Sequence, residues 1–115
     1  MATIDQTTIY KICRPDEWAA AERDGIFRGS PDDRRDGFIH FSTAAQVPGT
    51  VEKYFAAEKG LVLIAIDAQA LGAALQWEPS RGGALFPHLY GELSLGAVLW
   101  CRPLASIIDL KQLGQ

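Results

Sequence analysis

The stretch GFIHFST (37–43) decides how the rest of the chain is read. Side chains alternate across a strand, so Phe38, His40 and Ser42 would share one face and Ile39, Phe41 and Thr43 the other. Thr43 with Gln46 three positions on has the spacing of a capping box, so the strand runs directly into a helix. The first amides of such a helix can receive an anion. The chain has two histidines, and the second, His88, lies in a similar run of aromatic and aliphatic residues, LFPHLYG (85–91). Two apolar strands, each with one histidine, are the best lead to function.

Working outward, TIYKIC (8–13) has the β-branched and aromatic residues of a first strand. Pro15 and Glu17 suit the first turn of a helix over 15–24, with Trp18 as apolar anchor and Gly25 as its stop. FRGSPDDRRDG (27–37) reads as a charged, turn-rich surface loop. A second helix is expected from Gly49 to Glu58, with Val51, Tyr54 and Phe55 facing the core and Gly60 ending it. LVLIAID (61–67) is nearly continuous aliphatic, the pattern of a strand covered on both faces. Asp67 would cap a short helical turn through Leu71. LQWE, LFPHLYGEL and AVLWCR give three further strands, and PLASIIDLKQLGQ a last strand with a loose end. The order β, α, β, α and then strands gives an α+β fold: a strongly bent, mostly antiparallel sheet flanked by two helices.

The chain of 115 residues is 48% hydrophobic and 22% charged, enough for one core and too short for two, so residues 1–115 form a single domain with its core over about 8–104. A net charge of −3 argues against a broad nucleic-acid-binding surface but leaves room for a compact site holding one phosphate. No run of about 18 apolar residues would span a bilayer, and MATIDQTT lacks the pattern of a secretory signal. A cytoplasmic location is therefore expected. Cys13 and Cys101 are too few for a disulfide scaffold and read as buried strand thiols.

His40 has Ser42 on its face and a charged, Gly-bounded loop before it, an arrangement that often borders sites. Phe86, His88 and Tyr90 would form a wall suited to stacking on a flat ring while hydrogen-bonding its edge. Pro87 restricts that strand to an edge or a distortion. Glu78 is the best-placed carboxylate for acid–base or ribose-binding work. Arg81, in SRGG (80–83), could hold a phosphate or carboxylate with the loop amides. Each feature also has a plainer reading, as a structural histidine, an aromatic core layer, a surface glutamate or an ordinary turn. Standard nucleotide loops are absent. HxxH, HExxH and CxxC spacings are absent too, so no metal is expected.

The segments IYKI, EW, DGFIHFSTAAQV, LVLIAID, WEPSRGG and LFPHLYGEL resemble a bacterial family catalogued as domain of unknown function nine-five-two, over roughly Ile9 to Leu104. That family has no established reaction. More distantly, the order YKI, GFIHFS, AAQVPGTVEKYF, LVLIAID, LFPHLYG is similar to the ADP-ribosyltransferase superfamily. This resemblance implies a split, cleft-forming sheet and a nucleotide-like ligand, with NAD as substrate. The leading reading is a small-ligand enzyme of this transferase-like type, in which His40, His88 and Glu78 would be catalytic. Lys11 and Arg81 would offset phosphate charge, and Ser42, Phe86 and Tyr90 would complete the ligand site. The chain departs from both patterns at Lys11, where a histidine is usual, and neither Glu78 nor Glu92 is a certain counterpart of the transferase glutamate. The alternatives are a non-catalytic nucleotide- or partner-binding domain with the same cleft, and a hydrolase using a His–His or Cys–His pair. If the two histidine strands build one site, His40 and His88 should meet across a common cleft with Tyr90 lining it.

Overall fold

The aliphatic run at 61–67 becomes the central strand of the larger core. The computed structural model describes residues 7–106, and all that follows refers to them. Strand β4 (Val62–Asp67) lies between β1 (Thr8–Cys13) and β8 (Val98–Pro103), antiparallel to both. Its successive side chains feed opposite faces. Ile64 and Ile66 join Ile9, Trp18, Phe27 and Leu93 in one cluster, while Leu63 and Ala65 join Tyr10, Ile12 and Val47 in another. Both faces are therefore covered, as the lack of alternation implies.

A second sheet has the order β3 (Ile39–His40), β6 (Leu85–Leu89), β5 (Leu75–Pro79), and a short ribbon pairs β2 (Ile26–Phe27) with β7 (Leu93–Ser94). Every pairing is antiparallel. The two larger sheets are tied by a bridge between Tyr10 and Ser42, whose amides and carbonyls exchange bonds of 2.8 and 2.9 Å. The chain is thus an α+β domain with a divided antiparallel sheet.

Helix α1 (Pro15–Asp24) forms as expected. Pro sits in its first turn, Trp18 and Ala21 are buried, and Gly25 closes it at φ 76° with its N–H on the Ala21 carbonyl. The Thr43–Gln46 capping box also forms. It opens a 3-10 turn (Ala44–Gln46) that leads straight into α3 (Val47–Tyr54), so this helix begins before Gly49 and ends before Glu58. Pro48 falls in its first turn, where a missing N–H costs nothing. Val51 and Phe55 pack on the core, but Tyr54 is 56% exposed.

Four further expectations need correction. The stretch read as a loop contains a third helix, α2 (Pro31–Asp36), closed by reciprocal bonds between Ser30 and Asp33 and terminated at Gly37. Pro87 lies in the central strand of its sheet rather than at an edge. A residue's N–H and C=O face the same neighbour in an antiparallel ladder. The Pro87 carbonyl accepts from Phe41, so its missing N–H falls where β3 has already ended. Cys13 is buried but Cys101 is exposed. Asp67 does cap a turn, accepting from the Gln69 amide at 3.0 Å, but the turn runs on to Ala74. Leu104–Ser106 is a 3-10 turn, and the rest of the expected last strand lies outside the described residues. Among the described residues no helix is long and apolar enough to cross a membrane.

Candidate functional site

The two histidine strands meet. His40 of β3 and His88 of β6 are directly paired across the ladder, with ring centroids 5.6 Å apart. Phe38 packs against both rings, at 4.6 Å from His40 and 4.1 Å from His88. His40 and His88 open on a cleft of about 160 Å³, also lined by Lys11, Ser42, Tyr54 and Phe86. Ligand pockets for whole drug-sized molecules run to roughly 300–1,000 Å³. This cleft therefore encloses a ring or a sugar, not a dinucleotide.

His40 is held by α2. Its Nδ1 lies 2.6 Å from Asp33 Oδ1, and its Nε2 lies 2.9 Å from Asp36 Oδ2. Each ring nitrogen therefore faces a carboxylate, Nδ1 in a hydrogen bond with Asp33 and Nε2 in contact with Asp36. Asp33 is the hub of this arrangement. It also accepts from the Ser30 amide (2.8 Å), the His40 amide (3.1 Å) and the Lys11 ammonium (2.9 Å). Burial alone would favour its neutral form, but the His40 bond, the Lys11 charge and the Ser30 amide hold its pKa well below the ordinary carboxylate range. For Asp36 the Arg35 hydrogen bond is the main cause of a lowered pKa, with His40 adding to it.

His88 is arranged differently. Its Nδ1 lies 2.8 Å from Glu78 Oε1, and the same oxygen accepts from the Tyr90 hydroxyl at 2.8 Å. Those bonds, the His88 one first, lower the Glu78 pKa, and Glu78 in turn raises that of Tyr90. The His88 Nε2 has no protein partner among the described residues. Trp18 Nε1 is the side-chain polar atom found both fully enclosed and unpartnered there, so the His88 nitrogen keeps access to the cleft.

The other expected site residues are placed unevenly. Ser42 Oγ is within 3.0 Å of Thr50 Oγ1 at the cleft wall. Phe86 is buried at the wall, and Glu78 sits behind His88. Lys11 is buried and its charge is matched by Asp33, so it is not a free cation awaiting a phosphate. Tyr90 does not line the cleft: its amide bonds the Ala74 carbonyl beyond the start of β5, carrying the ring past Glu78. Arg81 falls in the turn Arg81–Gly83, and its side chain lies outside what is described. Glu92 pairs with Arg28 at 3.2 Å instead of joining the histidines. The helix start expected to take an anion spends its Gln46 amide on Thr43 Oγ1. Nucleophilic use of Cys13 is disfavoured, because burial pushes its thiol up to about 12.

Three residues at the site were missed in the sequence: Asp33, Asp36 and Phe38. The usable signals were Ser30-Pro31-x-Asp33, a helix-start pattern, and Asp36 four residues before His40.

Fold and site together define a small antiparallel α+β domain with a histidine–carboxylate cleft. The chain belongs to the family described as Protein of unknown function (DUF952), whose profile matches residues 12–101. It is similar to CC0527 from Caulobacter crescentus, whose crystal structure is 47% identical with a TM-score of 0.82, covering 84% of this chain and 85% of that one. The solution NMR structure of CC0527 is 47% identical with a TM-score of 0.77, over 86% of this chain and 85% of that one. A crystal structure of a CC0527 double mutant is 46% identical with a TM-score of 0.82, over 84% of this chain and 85% of that one. No curated protein matches the chain. Neither the family description nor these relatives' names carry an activity.

Proposed function

We propose that the cleft binds one end of a nucleotide-like small molecule, of the NAD, ADP-ribose or phosphorylated-nucleoside class, and that His88 backed by Glu78 is its acid–base group. The observation that carries this reading is the paired histidines with unequal environments: His40 has both ring nitrogens committed, while His88 has one committed and one turned to the cleft. An imidazole oriented by a carboxylate can exchange a proton with a ligand hydroxyl or leaving group. Within that reading the reaction is a group transfer of the ADP-ribosyl type, with NAD as substrate and not as a resident cofactor. The enclosed volume suits a base or a ribose, leaving phosphates at the mouth. There Arg14 and Arg35 are held by partly exposed pairs with Glu58 and Asp36. Exposed pairs of this kind contribute about 0–1 kcal/mol, so exchanging a carboxylate for a phosphate costs little.

A second reading, a binding domain without catalysis, is favoured by the Lys11–Asp33 pair. It fills the first-strand position with a neutralised contact that offers nothing to a substrate.

The test is a thermal-shift screen of NAD, ADP-ribose and 2′- or 3′-phosphorylated nucleotides, followed by product analysis of any hit. A ligand at a hundredfold excess over Kd stabilises the fold by about 2.7 kcal/mol, and Tm rises by several degrees for a domain of this size. A shift with slow release of nicotinamide or another product supports the enzyme. A shift with an intact ligand supports the binding domain. No shift from the whole set contradicts the enzyme and a nucleotide-binding domain alike.

A further inference from the structure

Glu78 Oε1 accepts two hydrogen bonds, from His88 Nδ1 and from the Tyr90 hydroxyl, each 2.8 Å long. The Glu78 and His88 side chains are 38% and 5% exposed, so a partly wet carboxylate orients an enclosed ring. Tyr90 gives that carboxylate a second, braced partner. Its ring lies 5.3 Å from Phe38, which itself packs on His88, so the phenol is braced by the same aromatic group that braces the imidazole. Two donors converging on one oxygen leave the carboxylate one orientation that satisfies both.

We infer that Tyr90 is a positioning residue: through Glu78 it holds His88 in the tautomer protonated at Nδ1, leaving Nε2 as a bare acceptor facing the cleft. An ionised carboxylate only accepts, so Nδ1 must be the donor, and a neutral ring with Nδ1–H has its lone pair on Nε2. The free histidine side chain prefers the opposite tautomer, so the preference at His88 is imposed by its surroundings. The consequence is a ligand class. With the ring neutral, the group that meets His88 is a hydrogen-bond donor, a hydroxyl or N–H, rather than a phosphate oxygen or carboxylate. This deepens the acid–base reading proposed above and rests on it for its role in a reaction, but not for its test.

The experiment is long-range proton–nitrogen correlation NMR on 15N-labelled protein, recorded as the pH is raised until the rings are neutral. Wild type is expected to show His88 protonated at Nδ1 with Nε2 bare. Tyr90→Phe removes one oxygen from a half-exposed site, so its amide spectrum should stay native while His88 gains a population protonated at Nε2. Glu78→Ala should move that population further. Because Tyr90→Phe deletes no packed ring, it keeps the test valid even if Glu78→Ala fails to fold. A wild-type His88 protonated at Nε2, or Tyr90→Phe populations equal to wild type, overturns the inference. The expected tautomers combined with an empty nucleotide screen uphold the positioning role and overturn the nucleotide-like ligand proposed above.

Discussion

Lys11 and Asp33 form an ion pair of 2.9 Å in which the side chains are only 8% and 2% exposed. It ties the middle of β1 to α2 at the edge of the cleft. The ammonium also donates to the His40 carbonyl at 2.9 Å, so one lysine fixes both the helix and the histidine strand. The cleft wall is therefore organised by charge as much as by apolar packing.

The two partners are not equally dispensable. Without Lys11, Asp33 still accepts from the Ser30 amide, the His40 amide and the His40 ring. Without Asp33, the buried Lys11 keeps one carbonyl acceptor. Asp33→Ala should therefore cost about 3–5 kcal/mol, the usual cost of stranding a buried charge. Lys11→Met should cost less, about 1–3 kcal/mol. Urea denaturation measures both, and a Lys11 variant as damaging as the Asp33 variant would contradict this ranking.

The same carboxylate gives the fold an acid limb. Its pKa is lowered in the folded state from an ordinary value of 3.8, so its contribution is fully present above that value and is lost as pH falls toward the folded one. The stability gap between wild type and Asp33→Asn, measured from about pH 5 downward, should shrink below about pH 4. A gap that widens on acidification would show that Asp33 is protonated in the native protein.

Much of this architecture was legible. The unbroken aliphatic run of β4, the Gly25 stop and the Thr43–Gln46 box each have a local physical cause, and each formed. Helix α2 was missed because six residues are too few for a hydrophobic period and its charges look like a loop's. Without α2, Asp33 and Asp36 could not be connected to His40. The Lys11–Asp33 contact spans 22 positions and leaves no local trace. Pro87 was misplaced for a related reason: the length of a neighbouring strand decides whether a lost N–H matters, and β3 has only two residues. The pairing of His40 with His88 could be suspected from two similar runs, but their unequal partners could not.

Close packing behind Asp33 makes one glycine special. Gly29 has φ +107°, and a Cβ there would lie 2.9 Å from the Asp33 Cβ. At Gly25, φ is +76° but the space is open. Gly25→Ala should pay only for the left-handed backbone, about 1–2 kcal/mol. Gly29→Ala should cost more than that and also displace Asp33 from His40, visible as a changed His40 ring resonance. Equal losses for the two variants would mean that the contact with Asp33 gives way freely.

The two thiols should behave differently. Cys101 is exposed, while burial raises Cys13 to about 12. A thiol-reactive dye is expected to label one cysteine in the native protein and two in denaturant, with the native reaction accelerating as pH rises because burial also raises Cys101. Fast labelling of both in the native state would contradict the buried position of Cys13.

The most direct measurement of the central claim is a titration of NAD and ADP-ribose into 15N-labelled protein, following the His88 ring and the amides around the cleft. Binding in the cleft predicts saturable changes at His88, Phe86 and Ser42, with none at Leu99 on β8. It also predicts that His88→Gln weakens them at least tenfold, a loss of about 1.4 kcal/mol. Saturable changes that leave His88 untouched, or none with either ligand at millimolar concentration, would contradict it.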